Sequence, residues 1–445
     1  ISLILEGDET FDTFGRSLGR GWLVYNWSQT QPGSRGSFID KRRGGLASMD
    51  LRADQRPAYR NFFNRLVIAS DQRGGAAYRL MIGDEIATTF TPLTFNKPRF
   101  NGVRLDYAAE RYQASLLLSR PSNPDEEAQT NSTTVMGGRI EAQSEPGASF
   151  GLTYVNAHNV LTQVEFNEGN PLHGILTTLE NQPLDKLWVR VRDDSPGKGT
   201  VGAALAGFDI ALVDTSGREL MGRDIGFLPR REGGILEGGR LFARDDESIL
   251  LEYDLGSLDF DDVQSEDLRS VEVVLSLAND YRVEVATDLQ TDGQRRNAEI
   301  VFLPVRRAAG NVQDNSNTQI VRLDYGLPTA NELIGVDWHL RDWKGLSLLG
   351  ELVLNRRYSR YPNPNVSNHH EIAESAHAGY LNAAYRRGPW SLFGEGFSVA
   401  DDYSTRYWIT DRSGRIKFKD PVPQVYEFVD DDDDLNGLTE WERPF

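Results

Sequence analysis

Two short stretches hold side chains whose types and spacing could do chemistry. Near the end, VDDDDDLNGLTEWERPF places Asp432, Asp434 and Asn436 at alternate positions before Gly437, with Glu440 three residues further on. Hard oxygen ligands in that pattern wrap a calcium ion, and the glycine permits the sharp turn such a loop needs. The expected ligands are the side-chain oxygens of Asp432, Asp434, Asn436 and Glu440, with a backbone carbonyl near Leu438. An EF-hand is excluded, because Arg443 stands where the bidentate Glu would be required. The second stretch, NHHEIAESAH, gathers His369, His370, Glu371, Glu374 and His377. On a helix His370, Glu374 and His377 would share a face and suit a transition metal. After the turn YPNPN, a solvated loop is the stronger expectation. Residues 15–19, GRSLG, match the letters of a nucleophile elbow but lack the preceding buried strand and following helix that give the motif meaning.

Composition limits what can position these groups. The mean hydropathy of −0.48 and the lack of any run near the roughly 18 apolar residues of a spanning helix exclude a helical membrane protein. They do not exclude a β-barrel, in which only every second residue of a spanning strand must be apolar. The net charge of −18 offers no basic stripe for nucleic acid. Cysteine is absent, so no disulfide framework or thiolate metal site is expected. The chain opens at Ile1 without Met or a signal-like segment, as expected of a processed or internal start.

The strand signal is clearest in residues 101–119. Val103, Leu105 and Tyr107 alternate with Arg104 and Asp106, and Tyr112, Ala114, Leu116 and Leu118 alternate with Gln113, Ser115 and Ser119. Successive strand side chains point to opposite faces, so each strand has one apolar and one polar face. The unit recurs at 62–70, 76–85, 134–144 and 148–158, and again at 319–325, 332–341, 346–357, 378–387 and 390–399. Residues 88–100, carrying Pro92 and Pro98, read as a loop or edge segment. In 390–399 the alternation leaves open whether Glu395 or the set Trp390, Leu392 and Gly394 faces outward. Aromatics such as Tyr107, Tyr112, Tyr154, Trp338, Trp343, Tyr385 and Trp390 lie near strand ends, where interfacial girdles form.

Between these two series the character changes. Residues 185–305 hold short strands rich in Val, Ile and Leu, with 25 acidic against 14 basic side chains and acidic, glycine-rich connections, the pattern of an antiparallel sandwich. The domain expectation is therefore an unassigned segment 1–60, barrel strands in 61–184, an inserted jelly-roll-like sandwich in 185–305, barrel strands again in 306–429 and the acidic loop in 430–445. The fold class is all-β, an antiparallel transmembrane β-barrel, complete or partial, with an inserted soluble β-sandwich.

A barrel-like strand series, an inserted sandwich and the DDDDDLNGLTEWE loop resemble large bacterial outer-membrane β-barrel proteins whose loops carry calcium repeats of the thrombospondin type 3 kind. The resemblance implies Ca²⁺ as the bound ion, the outer membrane as location and its lipid bilayer as partner. Other envelope proteins or glycans would bind through the sandwich. Barrels of this kind close on an even strand number, whereas about eleven candidates are counted here. The function expected is that of a pore, transporter or surface and assembly scaffold, without catalysis. The alternative is a secreted, soluble multi-domain β protein, an adhesin or a carbohydrate-binding surface protein. A polysaccharide-cleaving enzyme would need paired carboxylates in a cleft, and no pair stands out in the sequence.

Val103, Leu105, Tyr107, Leu116, Leu118, Ile334, Val336, Leu352 and Leu354 are expected on the lipid side, and Arg104, Asp106, Arg139, Asp337 and Arg341 on the lumen side. For the acidic loop, calorimetry of the intact protein is expected to show a calcium-binding heat that Asp432→Ala and Asp434→Ala together remove. A heat unchanged by the double substitution would leave the run a solvated tail.

Overall fold

The structure, a computed structural model, describes residues 2–11, 17–28, 66–73, 75–121, 131–144, 147–161, 169–196, 200–261, 263–292, 298–410 and 414–425. Among them there is no α-helix, and no helix is long and apolar enough to cross a membrane. The acidic loop, with Asp432, Asp434, Asn436, Leu438 and Glu440, lies outside the described residues.

The chain opens on a hairpin of β1 (Ser2–Phe11) and β2 (Ser17–Ser28). Then follow β3 (Leu66–Arg73), β4 (Ala76–Thr89), β5 (Asn96–Ala109), β6 (Tyr112–Ser119), β7 (Asn131–Ser144) and β8 (Ala148–Leu161). Each of β3 to β7 pairs antiparallel with the next strand. The insertion comes next, with β9 (Lys186–Asp193), β10 (Ala203–Asp214), β11 (Glu219–Met221), β12 (Arg230–Glu232), β13 (Ile235–Glu237), β14 (Arg240–Ala243), β15 (Ser248–Asp254), β16 (Leu268–Ala278), β17 (Tyr281–Thr287), β18 (Leu303–Arg307) and β19 (Gln319–Asp324). The first series resumes with β20 (Leu327–Trp343), β21 (Leu346–Arg360), β22 (Glu371–Arg387) and β23 (Trp390–Val399). The short pair β24 (Arg406–Tyr407) and β25 (Val422–Pro423) ends the described chain.

β20 pairs directly with β8, so both series merge into one ten-stranded antiparallel sheet in the order β23-β22-β21-β20-β8-β7-β6-β5-β4-β3. The β2 backbone runs beside β3, within 8 Å between Cα atoms. No closed barrel is found among the described residues. The short connections β3–β4, β5–β6, β7–β8, β20–β21 and β22–β23 gather at one end of this sheet, the described ones being residues 110–111, 344–345 and 388–389. Gly345 (φ 90°) and Gly388 (φ 58°) take backbone conformations there that a side chain would strain. Among the described residues the other end carries the long connections: 90–95, 361–370, the exits from β6, β8 and β23, and the entry to β20.

The insertion folds as two sheets, β12-β15-β9-β17-β18 and β13-β14-β10-β16-β19. Strict alternation drives it: in β9, Leu187, Val189 and Val191 are fully buried while Trp188, Arg190 and Arg192 stay partly exposed. Leu251 and Tyr253 of β15, Val283 of β17, Leu212 of β10 and Leu275 of β16 join them in one hydrophobic cluster shared by both sheets. Each such side chain contributes about 1.5–3 kcal/mol on burial. The cluster extends into Leu327, Tyr361, Ile416 and Phe418, so its core is continuous with the end of the large sheet.

Residues 319–325, expected with the resumed barrel strands, differ. β19 pairs with β16, from Glu272↔Asp324 to Leu277↔Gln319, and Val321 and Tyr325 point into the insertion's core. The Tyr325 hydroxyl, hydrogen-bonded to Gln290 and Thr287 at 2.8 Å each, is fully enclosed, and burial pushes its pKa well above the usual phenol value. A fragment covering residues 185–325 is therefore expected to melt more than about 5 °C above one ending at 305, which lacks these two buried side chains. Circular dichroism on the two fragments decides it, and equal midpoints would place β19 outside the unit.

Candidate functional site

The large sheet sorts its side chains by face. Residues directly opposite in an antiparallel pair lie on the same side, so the register defines rows across the strands. One row runs Tyr78, Tyr107, Ala114, Ile140, Leu152, Val336, Leu352 and Gly379. The next runs Leu80, Leu105, Leu116, Gly138, Tyr154, Ile334, Leu354 and His377. From β4 to β23 the one Asp, Glu, Lys or Arg on this face between the short turns and the level of His377 is Arg387, opposite Trp390 at the last position of β22. Its large side chains are not covered: Leu116 is 56%, Phe150 55% and Leu352 55% exposed. All nine residues expected on an apolar face lie on it. For β23, left undecided by alternation, the pairs Tyr385↔Leu392 and Ala383↔Gly394 put Trp390, Leu392 and Gly394 on the apolar face and Glu395 on the other.

The opposite face is polar and charged. Arg79 and Arg104 each reach Asp106 at 2.8 Å, and the Ser115 hydroxyl donates to the same carboxylate at 2.7 Å. Arg139 on β7 spans β8 to grip Asp337 on β20 with both terminal nitrogens and also reaches Glu141 at 3.0 Å. The bridge passes over Gly151, where a Cβ would stand 2.6 and 2.7 Å from the guanidinium nitrogens. Arg341, at the end of β20, follows the same alternation, so the five expected charged residues share this face.

At the end with the long connections this face is covered. The loop 90–95 folds against it: Phe90 lies 3.0 Å from where a Gly137 Cβ would be, and Thr94 2.8 Å from that of Gly335. Phe90 and Phe95 pack there with Leu117, Val155, Leu333, Val353 and Tyr407. The expectation of a loop or edge over 88–100 thus narrows to 90–95, with β4 running to Thr89 and β5 starting at Asn96.

A strap formed by residues 403–410 lies beside that loop, held through its main chain. Asn331 Nδ2 donates to the carbonyls of Ser404 (2.8 Å) and Arg406 (2.7 Å), and the Ser404 amide donates to Asn355 Oδ1 (3.0 Å). The Thr133 hydroxyl donates to the Trp408 carbonyl (3.4 Å) and accepts from the Thr410 amide (3.1 Å). Tyr403 Oη donates to the Leu93 carbonyl at 2.6 Å, tying strap to loop. A cleft of about 120 Å³ opens between strap, sheet and insertion, lined by His158, Asn159, Pro304, Asp324, Asn331, Arg357, Tyr358 and Trp408 among others.

The histidine stretch is not a helix: Asn368, His369 and His370 end the connection before β22, and the rest is strand. Residues 371–377 begin β22 and pair with β21 from Arg360↔Glu371 to Leu354↔His377. On a strand Glu374 and His377 point to opposite faces, so the helical ligand set is not formed. Glu374 pairs with Arg357 at 2.8 Å. Glu371 instead joins buried Arg360 (2.8 Å) and His173 (2.9 Å), whose ring stacks on Tyr358 at 3.9 Å. His369 Nε2 sits 3.0 Å from Asn181 Oδ1 and 3.1 Å from the Asn363 carbonyl. Among the described residues no three His, Cys, Asp or Glu side chains form a group suited to a metal ion. Of the GRSLG stretch, Ser17, Leu18 and Gly19 open β2, and Gly15 and Arg16 lie outside the described residues.

Sequence reading placed a loop within 88–100 but missed the strap, because no alternation marks it. Asn331 and Asn355 gave no distinct signal, since Glu332, Arg356 and Arg357 stand beside them in the sequence. Asn331→Leu leaves two part-buried carbonyls without these donors and is expected to cost about 1–3 kcal/mol in all. The solvent-facing Arg406→Ala is expected to stay within about 0.5 kcal/mol. Denaturation midpoints and protease cleavage within 403–410 measure both, and equal effects would refute main-chain anchoring. No protein-family model, no curated protein and no solved structure matches the chain.

Proposed function

We propose that the protein is a bacterial outer-membrane β-barrel with an occluded mouth, acting as a gated transporter or a surface and assembly scaffold, and carrying the insertion as an extramembrane β-sandwich that binds envelope partners or glycans. One observation carries this reading: an apolar face, free of charge but for Arg387 beside a short turn, continuous across nine strands and exposed, backs onto a polar face that the chain's own loop and strap cover at one end. A water-soluble sandwich has the reverse arrangement, burying its apolar faces against each other. Apolar patches far smaller than this one already mark contact surfaces on soluble proteins. Lipid is the solvent that removes the cost.

The dimensions agree. Along β21 the apolar positions run from 346 to 354, about 26 Å of strand at roughly 3.3 Å per residue, near the nine to eleven residues of a tilted spanning strand. Tyr107, Tyr112, Trp343 and Trp390 lie within a few residues of the short turns, where an interfacial girdle belongs. The hairpin β1–β2 beside β3 takes the ten-stranded sheet to twelve strands, an even number as barrel closure between β1 and β23 requires. Short turns on one side and long loops on the other match the periplasmic and extracellular ends of such barrels. On that basis insertion, plugging loop and strap all face outward from the cell.

The occluding loop favours a gated or scaffolding role over that of an open porin. The secreted soluble alternative would need a cover for the apolar face, and none is present among the described residues. Leu116→Arg, on the apolar face, is expected to reduce membrane assembly by the equivalent of about 2–4 kcal/mol. Gln113→Arg, on the same strand but opposite Glu141, is expected to be tolerated. Heat-modifiable gel mobility of detergent-extracted protein reads both. Equal losses, or a chain that stays in solution without detergent, would overturn the reading.

A further inference from the structure

The polar face of the large sheet holds side chains that their surroundings do not satisfy, Glu351 first among them. Glu351, in the middle of β21, is 0% exposed, and both carboxylate oxygens are buried without a hydrogen-bond partner. Thr91 and the Leu93 amide approach from the plugging loop, yet neither completes a hydrogen bond to it. A buried carboxylate left in that condition carries a desolvation cost of several kcal/mol unless it is neutralised.

The register places further oxygens around it. Asp337 on β20 and Tyr380 on β22 stand directly opposite Glu351, at about 4.5–5.5 Å between Cβ atoms. Asn382, two residues beyond Tyr380 on the same face, has a buried Oδ1 that is also without a partner. The cations nearby do not balance the charge. Arg139 faces Asp337, Glu141 and Glu351, so three carboxylates meet one guanidinium. His339, further along β20, is engaged with Arg341, and Glu395 on β23 is exposed.

We propose that Glu351, Asp337, Asn382 Oδ1 and the Tyr380 hydroxyl form a site for one hard divalent cation, Ca²⁺, beneath the plugging loop. Every donor in the set is oxygen, the ligand type that calcium takes in numbers of six to eight, with carboxylates, amide carbonyls and water mixed. A charge of +2 cancels the excess of carboxylates over Arg139. Asp337 keeps free lone pairs after binding Arg139, since a carboxylate offers about four acceptor positions. Thr91 lies over the site, so the ion also fixes the loop to the wall. The inference rests on strand register and burial rather than on the lipid assignment. A failed calcium titration and a failed membrane fractionation are therefore separate results.

The test uses the full chain in detergent micelles, carrying Asp432→Ala and Asp434→Ala to remove any contribution of the acidic loop. After chelator treatment it is titrated with CaCl₂, and with NaCl at matched ionic strength. The expected result is a single-site heat and a raised unfolding midpoint with calcium only. Both are abolished by Glu351→Gln, and the affinity falls at least tenfold in Asn382→Leu, the variant that keeps the test decisive if Glu351→Gln does not fold. Glu395→Gln leaves them intact. A background chain that shows no calcium heat, or one whose heat survives Glu351→Gln or Asn382→Leu unchanged, overturns the site and leaves Glu351 a neutral, protonated acid.

Discussion

The antiparallel ladder between β8 and β20 keeps the two halves of the large sheet in phase. It runs from Ala330↔His158 to Leu340↔Ala148 with no register shift, whereas β4–β5 and β20–β21 both contain irregularities. Side chains alternate with a period of two, so a slip of one residue here would turn every strand from β20 to β23 inside out relative to β3 to β8. Leu352 and Leu381 would then share a face with Arg139, and Asp337 would stand among Leu116 and Leu152. The apolar surface and the charged one exist as surfaces only because this one ladder aligns segments far apart in the chain.

The same alignment creates the internal ion pair. Arg139 and Asp337 are 198 residues apart in sequence, and they meet because the guanidinium crosses β8 at Gly151, the one position in that row without a side chain. A charge pair in a partly buried setting costs desolvation on both partners, so its retention is tied to geometry: bidentate contact and a third ligand in Glu141. The plugging loop uses glycines in the same way, with Phe90 at Gly137 and Thr94 at Gly335. The wall of the sheet is thus shaped by where side chains are missing as much as by where they are present.

How much of this was legible in the sequence depended on whether local pattern or distant pairing decides. In 101–119 the two faces could be read directly because they differ in character, apart from Leu117 and Ala108, which stand on the polar face opposite Arg104 and Gln113. In β23, Phe393 and Phe397 sit on the polar face and glycines on the apolar one, so alternation alone was ambiguous and only the partner strand resolves it. β19 alternates as well as any barrel strand, and nothing local says that β16 is its partner. Pro98 suggested a loop, yet it sits in the first part of β5, which pairs with β4 but lies beyond the reach of β6. There a proline costs no ladder hydrogen bond. The histidines of NHHEIAESAH suggested a metal site or a loop, because the arginines of β21 that pair with its acids lie outside the window being read.

The insertion between β8 and β20 also shapes how the chain reaches this state. Joining those strands in an unfolded chain means closing a loop from Leu161 to Leu327, and the entropy of that closure grows with loop length. Long-range strand pairing of this kind is slow. If the two inserted sheets form first, their common core with Leu327 draws the start of β20 toward the end of β8, and the remaining search becomes short. The insertion then acts as an internal clamp on the folding pathway, setting the order of events from the middle of the sequence outward.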